Sequence, residues 1–331
     1  MLPDRRATHR TSKEENPLSV QTLDHDAYAA LPPEMFVIVT DDSHAEDIPR
    51  PSTTYWHDVW QRFRRDKLAI AGLVVIVIMT LLCIVMPMVS PYTYDGSDYL
   101  NMNAGPSRQH PCGTDQLGRD QFIRIMYGAR ISLTIGFVAA AINFAIGVIY
   151  GGLSGYLGGR ADMVLMRIVD ILSSLPSLLY IVLIMLIFGS NMGSVILALC
   201  FSSWIGTARV VRSEVMYLKH SEYVLASRLA GAGTWHLLVQ HLIPNAMGPI
   251  IVSTAFLIPG AIFSEAFLSF LGIGIQAPKA SWGSLANAAI PVMQMYPHLM
   301  FFPVIAICLT MFSFNFIGDG LRDALDPRLK K

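Results

Sequence analysis

The side chains that could carry chemistry are few in this sequence, and their spacing does not favour it. The lysines are Lys13, Lys67, Lys219, Lys279, Lys330 and Lys331, and none follows a glycine. A phosphate-binding loop needs that glycine, so that backbone amides and the ammonium hold phosphate together. The chain therefore shows no Walker A motif. His236 and His241 stand five apart, which on an α-helix separates them by roughly 140°, a poor arrangement for sharing a metal ion. Gly151-Gly152-Leu153-Ser154-Gly155 is rich in glycine but lacks the spacing of a nucleophile elbow. Cys83, Cys200 and Cys308 sit in apolar runs and Cys112 stands alone, so neither a disulfide framework nor a metal-ligand spacing emerges. Catalysis, a metal site and a bound cofactor are not expected in this chain.

The elements that carry these residues are apolar. Of 331 residues, 53% are hydrophobic and 15% charged, with a mean hydropathy of +0.47. Soluble domains carry about 25% charged residues. Net charge is zero, which gives no footing for a nucleic-acid partner. The apolar excess falls into uncharged runs long enough to cross a bilayer, which takes about 20 residues per helix. Spans are expected near 68–90, 131–154, 164–189, 194–212, 246–270 and 298–318. The fold class is thus an all-α membrane protein with six transmembrane helices.

Residues 1–60 hold many acidic residues and several prolines, and read as a cytoplasmic N-terminal tail, largely disordered. Residues 55–66 fit an interfacial helix with aromatic residues on one side and arginines on the other. The segment 61–94 holds the interfacial stretch and first span, 95–130 is an outer loop, and 131–320 is a core with five spans and a loop over 213–244. Residues 321–331 form a cytoplasmic C-terminal tail. Arg62, Arg64, Arg65, Lys67, Arg160, Arg209, Arg212, Lys219, Arg228 and Arg322 fall on one side of this arrangement. Basic residues mark the cytoplasmic side, so both termini are placed inside.

Charges within spans are costly in lipid. Arg167 and Asp170 are three apart, a spacing that permits an intrahelical pair. Glu265 lies among Phe263, Phe267 and Phe270 with no basic residue nearby in sequence; it is either a pathway or gate residue or a bond to a neighbouring helix. Gly147, Gly151 and Gly155 repeat every fourth residue, which lets helices approach closely. Pro176 and Pro259 lie within spans and are expected to kink them.

The loop 213–244 is far longer than a helix-to-helix turn needs. Ser221 to Ala230 has helix-forming residues, Gly231-Ala232-Gly233 ends that helix, and Thr234 is placed to cap a second helix running to Pro244. A short helix held out from the membrane is shaped either to dock on a cytoplasmic partner or to lie on the bilayer. The loop resembles the EAA loop of ABC importer permeases, where Glu-Ala-Ala is followed by a glycine four residues on and a Leu-Pro thirteen beyond it. Ala226, Gly231 and Pro244 fall at the matching positions, while Leu225, Ser227 and Ile243 depart from the pattern. Further runs resemble the oligopeptide, dipeptide and nickel subclass, above all the C-type subunits of its oligopeptide branch. They are Arg64-Arg65-Asp66-Lys67, the stretch from Cys112 to Asp120, Leu153 to Gly159, Phe267 to Gly272, Ser281-Trp282-Gly283 and Phe314 to Pro327.

The resemblance implies the ABC type I importer permease fold and a role as one half of a translocation pathway for peptides. It implies a homologous second permease subunit, two cytoplasmic ATPase subunits that hold ATP and magnesium, and an extracytoplasmic solute-binding protein. Glu222, Tyr223, Leu225, Ala226, Ser227, Gly231, Ala232 and Pro244 would then form the ATPase-coupling loop. Dipeptides, nickel and glutathione-like peptides are the alternative substrates. An ion-driven secondary transporter would need paired intramembrane acids and an inverted repeat, and the sequence offers only Glu265.

Overall fold

The computed structural model describes residues 55–326; of the tails expected over 1–60 and 321–331, residues 1–54 and 327–331 lie outside them, while 55–60 and 321–325 are helical. Among the described residues the regular structure is helical; the one pairing of extended backbone is an isolated bridge between Thr114 and Asp120. Helix α1 (Tyr55–Arg65) carries Asp58 in its first turn and Arg62, Arg64 and Arg65 in its last. Both placements suit the helix dipole. Phe63 anchors it beside Ala69 and Ala324, while Trp56 and Trp60 stay exposed. Asp66 then caps α2 (Lys67–Val89), accepting from the amides of Leu68 and Ala69.

Helix α3 (Gln121–Leu157) is 37 residues long and starts well inside the segment 95–130 that the sequence reads as loop. Its arginines account for the difference. Arg124 donates to the Tyr94 carbonyl, and Arg130 donates to the carbonyls of Cys83 and Ile84 at the end of α2. These charges are met by backbone and therefore do not interrupt the helix. Asp120 caps α3 through the Ile123 amide at 2.7 Å.

Helices α4 (Gly159–Ser174) and α5 (Ser177–Phe188) meet at an 81° bend. Pro176 lies at the break, where its missing N–H and ring prevent continuation. Pro259, by contrast, is carried inside an unbroken helix. Helices α6 (Met192–Cys200) and α7 (Trp204–Leu218) follow, then the short α8 (Glu222–Leu229). The last long helices are α9 (Ile243–Phe270) and α11 (His298–Leu325), with the outer helix α10 (Trp282–Ala289) between them. Five stretches are long and apolar enough to cross a membrane: Lys67–Val89, Gln121–Leu157, Met192–Leu218, Thr234–Phe270 and His298–Leu325. The bent pair α4–α5 makes a sixth when counted as one span.

Close approach holds the bundle together. The glycine stripe of α3 lies on α7: a Cβ built on Gly147 would sit 2.6 Å from Thr207 Cβ, and one on Gly155 would sit 2.7 Å from the Arg212 carbonyl oxygen. Small residues permit this spacing in lipid, where dispersion contacts rather than water drive association.

Candidate functional site

An ion pair and a lysine hydrogen bond fix the C-terminal end of α7. Asp162, in the first turn of α4, accepts from Arg212 Nε at 2.5 Å and Nη2 at 2.6 Å, and from the Ser154 hydroxyl at 2.6 Å. Lys219 Nζ donates to the Gly155 carbonyl at 3.1 Å. A bidentate pair of this kind sets direction as well as distance. It ties α7 to the α3–α4 corner just before the chain leaves for α8. Further along, Asp170 pairs with Arg209 at 3.2 Å. This overturns the expected pairing of Asp170 with Arg167, because α7 lies alongside α4 and brings a better-placed guanidinium across the gap.

Helix α8 buries one side chain against the bundle. Val224 is buried beside Val211, Val215 and Leu237, whereas Glu222, Tyr223, Leu225, Ala226, Arg228 and Leu229 are exposed. Leu229 is 90% exposed and Trp235 70%. The outward face is thus a mixed apolar and charged surface that nothing among the described residues covers. The Ala230 amide donates to the Ala226 carbonyl, and Gly231 follows at φ +90°, which lets the Ala232 amide reach back to the Ser227 carbonyl. A glycine in that left-handed conformation is the usual helix stop.

The next segment differs from expectation. Gly233, not Thr234, stands at the cap position, and Thr234 is the first helical residue. After one turn, Leu237–Leu242 winds as a π-helix and runs directly into α9. Hydrogen bonds from residue i to i+5 bring side chains five apart onto nearly one face. His236 and His241 accordingly meet edge to face at 5.5 Å between ring centroids, instead of lying about 140° apart as on an α-helix. Ser227 Oγ lies 3.2 Å from His241 Nε2, joining α8 to this segment. Among the described residues no group of three or more His, Cys, Asp or Glu is gathered as for a metal ion.

Of the residues singled out in the sequence, Glu222, Tyr223, Leu225, Ala226, Ser227, Gly231 and Ala232 lie together on or just after α8, and Pro244 follows at the start of α9. Glu265 lies elsewhere. It is wholly buried, accepting from Ser132 of α3 at 2.7 Å and Ser269 of its own helix at 2.8 Å. Glu265 thus joins α3 to α9. The residues that sequence reasoning missed are Asp162, Arg212, Leu229 and Trp235. Asp162 and Arg212 are 50 positions apart, and nothing in their local sequence hinted at a partnership.

A bundle built to cross an apolar layer, with a short exposed helix tethered below it, defines a membrane-spanning transport subunit worked by partners. The chain belongs to the family described as binding-protein-dependent transport system inner membrane component, whose model matches residues 126–331. A second family model, the N-terminal TM domain of oligopeptide transport permease C, matches residues 54–106. Among individual proteins it is similar to the oligopeptide transport system permease protein OppC of Bacillus subtilis, 50% identical over 87% of this chain and 94% of that one. It is similar also to the dipeptide transport system permease protein DppC of Bacillus subtilis, 46% identical over 95% of this chain and 99% of that one. The glutathione transport system permease protein GsiD of Pectobacterium atrosepticum is 39% identical over 84% of this chain and 92% of that one. Among solved structures, an inward-facing MetNI methionine ABC transporter matches with a TM-score of 0.48 and 18% identity, over 61% of this chain and 96% of that one.

Proposed function

We propose that this chain is one of two homologous membrane subunits of an ABC importer in the bacterial inner membrane, forming half of a pathway for oligopeptides. Two ATPase subunits, which hold ATP and magnesium, bind at its cytoplasmic face, and a solute-binding protein delivers peptide outside. Both termini are cytoplasmic. The chain itself holds no cofactor and performs no covalent step.

The observation that carries this reading is α8: an exposed helix, tethered through Val224 and mounted on a helix that Arg212 and Asp162 hold in place. When ATP draws the ATPases together, a cleft gripping Tyr223, Leu225 and Leu229 moves α8. The Asp162–Arg212 link carries that motion into α4 and α7. The pathway then faces outward, and faces inward again after hydrolysis. Coupling of this kind requires each partner to contact the two states differently. Glu265 serves this cycle as a structural tie between helices, since burial on all sides keeps it off any pathway surface. Import of dipeptides by the same machinery is the second reading, favoured by the 46% identity to a dipeptide permease over nearly the whole chain.

The test is uptake of labelled peptides of increasing length in cells lacking this chain and in cells with it restored. Loss and rescue of the longer peptides supports the oligopeptide reading, and loss confined to dipeptides supports the second. In the same cells, Lys219 should be protected from a membrane-impermeant amine reagent added outside while Lys279 reacts; the reverse pattern overturns the orientation.

A further inference from the structure

Helix α1 runs into α2 across a single residue, Asp66, which caps the second helix through the amides of Leu68 and Ala69. Helix α2 is long and apolar enough to cross a membrane, and it starts at Lys67. One residue spans at most about 3.6 Å, so the end of α1 is held where that span begins, at the bilayer surface. Val59 and Phe63, one turn apart, both pack against the bundle, so α1 lies along it rather than standing away. A helix in that place shares its faces among the bundle, water and lipid headgroups.

Helical phase divides them. Phe63 faces the bundle, buried beside Ala69 and Ala324. Asp58, Arg62 and Arg65 recur at i, i+4 and i+7 and, with Asp323 of α11, line a polar cavity of about 460 Å³. Arg62 Nη1 also donates to the Asp326 carbonyl at 3.4 Å. This is the wet edge. Trp56, Trp60 and Arg64 form a second row, each four residues after the last, and this row lies roughly 170° round the helix from the wet edge. The arginines are thus divided between the two. Trp56 is 54% exposed and Trp60 50%, although a tryptophan has about 150–250 Å² to bury. Trp60 stacks on Phe63 at 5.9 Å between ring centroids, and Trp56 meets Tyr55 edge to face at 5.4 Å. Both indoles are therefore held in place with one side bare.

The charge beside them is one-sided. Arg64 and Lys67 are exposed, and among the described residues neither side chain has an ion pair or a hydrogen bond. Asp66, the nearest acid in the chain, spends its Oδ1 on the two amides it caps, and Asp58 lies on the wet edge. Tryptophan favours the headgroup level of a bilayer, and basic residues there attract anionic lipid. A zwitterionic lipid would bring its own ammonium to a place that already holds two cations.

We propose that the Trp56–Trp60–Arg64 row of α1, together with Lys67, is a contact site for anionic phospholipid. The lipid phosphate meets Arg64 and Lys67, and the indoles lie against the upper part of the acyl chains. This contact is independent of which substrate the transporter carries.

The experiment places the assembled transporter, two permeases with both ATPases, in phosphatidylcholine vesicles that hold a fixed minor fraction of phosphatidylglycerol. Bromine is carried either by the phosphatidylglycerol or by an equal amount of the phosphatidylcholine, so that the composition never changes. Brominated lipid quenches an indole only on close approach. The quenching of the parent, less that of the Trp56→Phe/Trp60→Phe double variant, isolates these two rings from every other tryptophan in the assembly. Brominated phosphatidylglycerol should quench them several-fold more effectively, since each basic residue near a charged surface is worth about fivefold in affinity. The excess should fall in Arg64→Gln, vanish in Arg64→Gln/Lys67→Gln, and shrink at high salt. Arg65→Gln, on the wet edge, should leave it within about twofold of the parent. Equal quenching by the two brominated lipids in the parent overturns the anionic contact. Absence of quenching by either lipid means that protein or water covers the row, and overturns the bilayer as its partner. A loss in Arg65→Gln as large as that in Arg64→Gln overturns the assignment to this row.

Discussion

Gly155 offers the sharpest test of how the coupling helix is mounted. A methyl group there would lie 2.7 Å from the Arg212 carbonyl oxygen and 3.0 Å from Val215 Cβ. Ordinary contact begins near 3.4 Å, so Gly155→Ala must move α3 and α7 apart by about 0.7 Å at this point, the shortfall of the 2.7 Å contact. Neither neighbour yields easily, since one is backbone and the other a buried branched side chain. Overpacking of this kind costs about 1–3 kcal/mol, and Gly155→Val more. The displaced residue is Arg212, whose Nη2 contact with Asp162 stands at 2.6 Å. A shift of the same size takes it past the range of a strong charge-assisted bond, about 2.7–2.9 Å. The prediction is therefore twofold: the assembled transporter melts earlier, and ATP hydrolysis drives less peptide uptake per turnover. Gly206→Ala is the control, on α7 with nothing within 4 Å of the added methyl group. Thermal unfolding and uptake coupled to ATPase rate would be measured in proteoliposomes. If Gly155→Val matches Gly206→Ala in both, the α3–α7 contact is not what holds the lever.

Gly231, at φ +90° and with open space around it, tests the helix stop alone. Gly231→Ala should cost about 1–2 kcal/mol of local stability. Gly231→Asp should leave the subunit inserted but reduce ATPase co-purification and uptake; normal values in both would dismiss the loop as the coupling element. Glu265→Leu strips the hydroxyls of Ser132 and Ser269 of their acceptor, at about 1–3 kcal/mol per group. Glu265→Gln should recover part of that loss in a thermal unfolding assay, and a Leu variant as stable as the parent would contradict the tie. Burial, and then the Asp120 carboxylate, push the Cys112 thiol up from 9.0 to about 11. A variant keeping only this cysteine should react slowly with maleimide at pH 8 when folded and quickly once unfolded. Because the folded value is raised, the stability tied to this thiol is complete below pH 9.0 and is lost as pH climbs from there toward 11. Rapid labelling of the folded transporter at pH 8 would contradict its burial.

Features set by local chemistry were legible in the sequence. Uncharged runs showed where the helices cross, Pro176 marked the bend, and Gly231 marked the end of α8. The four-residue period of small side chains at Gly147, Gly151 and Gly155 announced a close contact without naming its partner, which is α7. Features that depend on distant chain were hidden. Arg124 and Arg130 looked like the edge of the membrane segment until the carbonyls of Tyr94, Cys83 and Ile84 were seen to receive them. Asp170 chose Arg209 over Arg167 because side-by-side packing of α4 and α7 outweighs proximity along the chain. The loop's outward face was legible as a pattern, but the Asp162–Arg212 link that steadies it was not.

The π-helical turn at Leu237–Leu242 has a consequence for phase. Leu238, Leu242, Ala246 and Ile250 follow one another every fourth residue, and all four are buried. On an α-helix such a row drifts about 40° at each step, so its last member would be carried well round toward lipid. The wider π turn rotates less per residue and takes back part of that drift. One short stretch of loosened winding therefore keeps a straight apolar seam running from the loop beneath the membrane up into the span above it.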